Sequence, residues 1–137
     1  MEINNEISEY YCSYEVSKLL REKGCRCNHG VVAYSLDGKN RISILSSFYD
    51  ERKYPIIEIS HALAIEWIRV NFGIHICSPL PCRTEMDKIY YSFQILSEDR
   101  EDNSVMGIGF KKQGGEFNST FETTEAALIY VLENLIN

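Results

Sequence analysis

The chain has 137 residues, 45% of them hydrophobic and 25% charged, and a formal net charge of −6. These fractions exclude a largely disordered or collagen-like chain, and the length suits one domain over 1–137 with a core of its own. The longest apolar run, residues 126–132, has seven residues, against about 20 for a membrane span.

In chain order, the first periodic segment is 13–23. Val16, Leu19 and Leu20 recur at helical spacing and leave Glu15, Lys18, Arg21 and Glu22 for solvent. Ser13 fits an N-cap and Gly24 a left-handed C-terminal cap. Lys18, Arg21 and Lys23 then complement the helix dipole, with a small anion-binding or partner-binding patch as the alternative reading. Two β-prone runs, 31–36 and 41–46, flank Asp37-Gly38-Lys39-Asn40. That pattern predicts a hairpin, because Gly tolerates the positive φ of a tight turn.

Residues 50–55 read as a polar connection ending at Pro55, and Ser60 opens a second helix to Phe72 with Gly73 after it. Leu63, Ala64, Trp67 and Ile68 form its apolar face, which makes the single tryptophan a core anchor. Residues 74–77 are extended, and Pro79 and Pro81 confine that run to a sheet edge or an irregular crossing.

The second half predicts a meander and a last helix. Strands are expected over 88–96, 105–112 and 117–122, with turns at 97–104 and 113–116. Thr123 or Thr124 is the expected cap of a helix whose stripe is Ala127, Leu128, Val131, Leu132 and Leu135. The expected class is α+β, in the order α-β-β-α-β-β-β-α, with an antiparallel sheet built from two hairpin-like groups and covered on one face by about three amphipathic helices.

Charge is distributed unevenly. Residues 1–60 carry 8 basic and 9 acidic side chains, 61–83 carry two and one, and 84–137 carry 4 and 10. The excess therefore belongs to the last portion, and no basic face is obvious there, which argues against nucleic-acid binding. The acidic, polar start lacks the pattern of a signal peptide, so a cytoplasmic location and reduced thiols are expected for the five cysteines.

The most suggestive chemistry is Cys25-x-Cys27-x-His29, followed by His75 and by Cys77 and Cys82. Zinc takes four thiolate or imidazole ligands, commonly through Cys-x2-4-Cys pairs. The Cys25–Cys27 spacing is tighter than that, so the simpler reading is ordinary small residues with no cofactor. Cys12, just before the first helix, is placed where a dipole could lower a thiol pKa, but no orienting third group accompanies it. His61 reads as a solvated or capping residue, because 61–65 lacks zincin spacing. Gly107-Ile108-Gly109 and Gly114-Gly115 precede no Lys-Ser/Thr, and the acidic run 98–102 lacks the alternation of a calcium loop. No catalytic residue is expected, and the chain reads as a non-enzyme.

Residues 13–24 (SYEVSKLLREKG), 64–69 (AIEWIR) and 121–127 (FETTEAA) resemble short uncharacterised proteins of gut-bacterial phages and mobile elements. The likeness spans most of the chain but consists of helix patterns, and it implies a small cytoplasmic accessory protein with no catalytic residues to carry over. The Cys25/Cys27/His29 group and the Pro79/Pro81 stretch are unlike that set. The leading expectation is a non-enzymatic protein-interaction module. Its partner would be another protein or a second copy of the chain, met by the acidic portion and by tyrosines such as Tyr10, Tyr11, Tyr14, Tyr90 and Tyr91. An acidic surface that mimics nucleic acid is a narrower form of that idea. The alternative is a zinc or Cys/His-dependent protein using Cys25, Cys27, His29, His75, Cys77 and Cys82.

Overall fold

A computed structural model describes residues 2–3, 9–27, 30–98 and 109–136, with the backbone alone at 109–113. The class is α+β, in the order α-β-β-β-α-β-β-β-α. The elements are α1 (Tyr14–Glu22), β1 (Val32–Tyr34), β2 (Arg41–Ser43), β3 (Ile56–Glu58), α2 (His61–Phe72), β4 (Ile74–Arg83), β5 (Ile89–Ser97), β6 (Gly109–Phe117) and α3 (Thr120–Asn134). No helix among the described residues is long and apolar enough to cross a membrane.

The helix ends follow from local chemistry. Ser13 and Ser60 accept from the backbone N–H three residues on, at 3.2 and 3.1 Å, which satisfies a donor that the first turn leaves orphaned. Gly24 (φ 98°) and Gly73 (φ 64°) take the left-handed conformation that ends α1 and α2. Val16 and Leu20 of α1 and Ala64 and Ile68 of α2 are buried as the periodicity predicts.

Three features depart from the expected order. First, Ile56–Glu58 forms a strand, and it pairs with β1 opposite the predicted hairpin partner, so the order in that sheet is β2-β1-β3. Three residues are too few for a period of two to register. Glu58 of this strand is buried and accepts from the Tyr34 hydroxyl at 2.7 Å.

Second, the strands divide into two separate three-stranded antiparallel sheets, the other being β4-β5-β6, and not one. β4 is an edge strand, as its prolines require, and its register shifts between Cys77 and Leu80.

Third, the expected turn at 113–116 lies within β6, and the expected strand 117–122 is the end of β6 followed by the first turn of α3. Gly114 has no side chain because the Phe93 ring lies against its backbone: a Cβ there would meet Phe93 Cζ at 2.8 Å. The α3 cap is therefore Ser119, which accepts from Glu122 N at 3.2 Å, rather than Thr123 or Thr124. The predicted strand at 105–112 lies outside the described residues up to 108.

One core joins the elements. Val16 and Leu20 of α1, Ala64 and Ile68 of α2, Ile76 and Ile95 of the second sheet, and Leu128 and Val131 of α3 belong to a single buried cluster. Trp67 packs against it half-buried, its ring 5.3 Å edge-on from Phe72.

Candidate functional site

The N-terminal segment reaches the core by pairing with the entry to α2. Cys12 N donates to Ile59 O at 2.9 Å and His61 N donates to Tyr10 O at 3.0 Å, around the bridge between Tyr11 and Ser60. This two-bond clamp sets the residue before the α1 cap beside the first residue of α2. Across from both lies Glu125, buried in α3 along with Leu128 and Leu132.

Cys12, His61 and Glu125 are all buried, and their Sγ, imidazole nitrogen and carboxylate oxygen lie within 4.8 Å of one another. His61 Nε2 and Glu125 Oε2 are 2.8 Å apart, and the same oxygen accepts from Ser13 N at 3.3 Å. The imidazole plane is held by Phe121, stacked at 5.1 Å, and by Tyr10 at 6.1 Å. Both helices α1 and α2 begin at this point, so the carboxylate lies near two positive helix ends. The Cys12 thiol reaches Ser60 O only at 3.9 Å.

Burial, with the carboxylates of Glu125 and Glu58 nearby, pushes the Cys12 thiol well above its ordinary range. Desolvation thus outweighs the dipole that the position before α1 offers. Cys12 is held as a protonated thiol, the opposite of an activated nucleophile. His61, expected as a solvated or capping residue, is instead buried and paired with Glu125. Beside the centre, a cavity of about 370 Å³ is lined by Tyr10, His61, Ile65, Ser78, Pro79 and Thr124.

The expected ligand residues lie elsewhere. Cys25 and Cys27 follow α1 and line a smaller cavity of about 130 Å³ with Ser17, Arg21 and Pro55. Burial raises the Cys25 thiol pKa. The Arg21 guanidinium is committed to Pro55 O at 3.0 Å. Cys77 and Cys82 are on β4, opposite Gln94 and Tyr90, and both are half-buried. His75 bonds Glu98 at 2.9 Å on the surface. Among the described residues, none of these joins a group of three ligand atoms, and His29 lies outside those residues.

A second feature is apolar and exposed. Leu45 is 88% and Phe48 82% accessible in the turn after β2. The bond from Ile44 N to Val31 O, 3.1 Å, sets exposed Val31 at the same open end of the hairpin. Of the tyrosines expected to supply a surface, Tyr10 is exposed but packs its ring against His61 and Phe121, while Tyr11, Tyr14, Tyr90 and Tyr91 are half-buried.

Neither the buried centre nor the apolar turn had a sequence signature. Their members are separated along the chain or embedded in an otherwise ordinary hairpin. No family model, curated protein or solved structure matches this chain.

Proposed function

We propose that this chain is a non-enzymatic protein-interaction module that docks through the open end of the β1–β2 hairpin. The supporting observation is the exposure of Leu45 and Phe48 beside Val31. A scattered apolar side chain on a surface needs no explanation, but a large aliphatic and an aromatic residue three positions apart in one turn offer a contact patch. The charges that follow the patch in the chain are mixed, Asp50 and Glu51 beside Arg52 and Lys53. That balance favours a partner with an apolar face over a strongly basic one. The acidic portion of the chain then serves solubility rather than docking.

The test is a photo-crosslinking residue at position 45, with the same residue at Met86 as control, since Met86 is 80% exposed in another loop. A discrete adduct with one protein, or with a second copy of the chain, formed from position 45 and not from 86 is the expected result. Equal labelling from both positions contradicts the reading.

A further inference from the structure

We propose that Cys12, His61 and Glu125 form a mononuclear zinc site, with the sulfur, Nε2 and one carboxylate oxygen as its three protein ligands. Three ligand types converge in a buried place from three separate parts of the chain, all within 4.8 Å. The chemistry suits zinc better than a hard cation. Thiolate and imidazole select it over magnesium or calcium, whose ligands are oxygens. Charge closes as well: a thiolate and a carboxylate together neutralise a dication, so the loaded centre carries no net charge into the core.

The protein's own hydrogen bonds at this centre are few. Its one short contact joins His61 to Glu125 at 2.8 Å. Ser13 N reaches the carboxylate at 3.3 Å and the thiol reaches a carbonyl at 3.9 Å, both long. With zinc–sulfur bonds of about 2.3 Å and zinc–nitrogen or –oxygen bonds of about 2.0 Å, tetrahedral ligand atoms lie roughly 3.3–3.6 Å apart. Closing the set therefore takes a movement of about 1 Å or less at any one atom.

Binding replaces the Cys12 thiol proton, which passes to solvent. The His61 ring presents Nε2 as a lone pair, its proton carried at Nδ1 or released. The aromatic stack of Phe121 and Tyr10 keeps the ring plane fixed during that exchange. Three protein ligands leave one coordination position, characteristic of sites that admit water or a small ligand, and the cavity that His61 lines is the space next to the centre.

The experiment uses the full chain, stripped with chelator and titrated with zinc, followed by X-ray absorption at the zinc edge. The expected result is one equivalent bound and a first shell of one sulfur and three nitrogen or oxygen atoms. Paired Cys25→Ser and Cys27→Ser substitutions should leave binding unchanged, whereas Cys12→Ser should abolish it. The sulfur count is read on the wild-type chain, so two or more sulfurs overturn the proposal even where Cys12→Ser does not fold. The proposal is overturned if the folded wild-type chain takes up no zinc at micromolar concentration. Two or more sulfurs in the shell overturn it too, as does loss of binding in the Cys25/Cys27 double variant or its retention in a folded Cys12→Ser chain.

Discussion

Glu125→Ala probes the junction that holds the N-terminal segment, α2 and α3 together. The substitution removes the acceptor of His61 Nε2 at 2.8 Å and of Ser13 N at 3.3 Å, while both donors stay in place. With side-chain exposures of 9% for His61 and 11% for Glu125, solvent offers little replacement. A hydrogen bond to a charged group contributes about 1.5–3 kcal/mol, and an orphaned partly buried N–H adds about 1 kcal/mol. The sum agrees with the roughly 3–5 kcal/mol for opening a buried pair from one side. That is a large part of the about 5–15 kcal/mol that holds a domain folded. Urea unfolding in chelator is the assay. At a slope of about 1.5 kcal/mol per molar, the midpoint should fall by roughly 2–3 M. Glu125→Gln keeps one acceptor oxygen and should cost about half as much. A His61→Ala/Glu125→Ala cycle should return a coupling of about 1–3 kcal/mol. A loss below about 1 kcal/mol for Glu125→Ala would refute the reasoning, because the pair would then lie open to water.

Stability should also fall in alkali. Burial raises the Cys12 and Cys25 thiols, and burial with the hydrogen bond to Glu58 pushes Tyr34 up to about 12. The folded chain keeps these protons at pH values where the unfolded chain releases them. The contribution of the two thiols is therefore complete below their ordinary value of 9.0, and that of Tyr34 below 10.0, and each is lost as pH rises above that value. Each thiol should contribute a slope of up to about 1.4 kcal/mol per pH unit above that point, and Cys12→Ala should flatten it; a stability curve level to pH 11 would be inconsistent. Gly30→Ala should disrupt the first sheet, because a Cβ there collides with the Glu58 carbonyl. An expected loss of more than about 2 kcal/mol is read by thermal melting, and a wild-type melting curve refutes the clash. Tyr34→Phe leaves buried Glu58 without its 2.7 Å donor and should cost about 1–3 kcal/mol in the same assay.

The helices were legible because their signals are local. Ser13, Gly24, Ser60 and Gly73 mark ends that backbone chemistry imposes within four residues. The hairpin around Asp37-Gly38 was equally local, with Gly38 at φ 76°. What escaped depended on distant partners. β3 exists because β1 offers it an edge, and its three residues carry no pattern alone. Gly114 looked like a turn residue, yet it marks where the Phe93 ring presses on a strand. The expected start of α3 differs from the observed one by four or five residues because Thr123 and Thr124 are good caps locally. In the fold Thr123 is buried and donates to Ser119 O at 2.7 Å, and Thr124 meets Ser78 at 2.9 Å.

The site was the least legible part. Glu125 lies 64 residues from His61 and 112 from Ser13, and no spacing rule connects them. Cys25, Cys27, Cys77 and Cys82 attracted notice because cysteines that are close in sequence resemble ligand pairs. Cys12 stands out in the sequence only for its place before α1, and its partners His61 and Glu125 come to it through the antiparallel clamp and α3.

Docking through the hairpin end is tested most directly by Phe48→Glu in a chain carrying the photo-crosslinker at position 45. Because Phe48 is 82% exposed, its replacement should change stability by no more than about 0.5 kcal/mol. The position-45 adduct should disappear while the melting curve stays where it was. An adduct of undiminished yield from the folded Phe48→Glu chain would contradict docking at that patch.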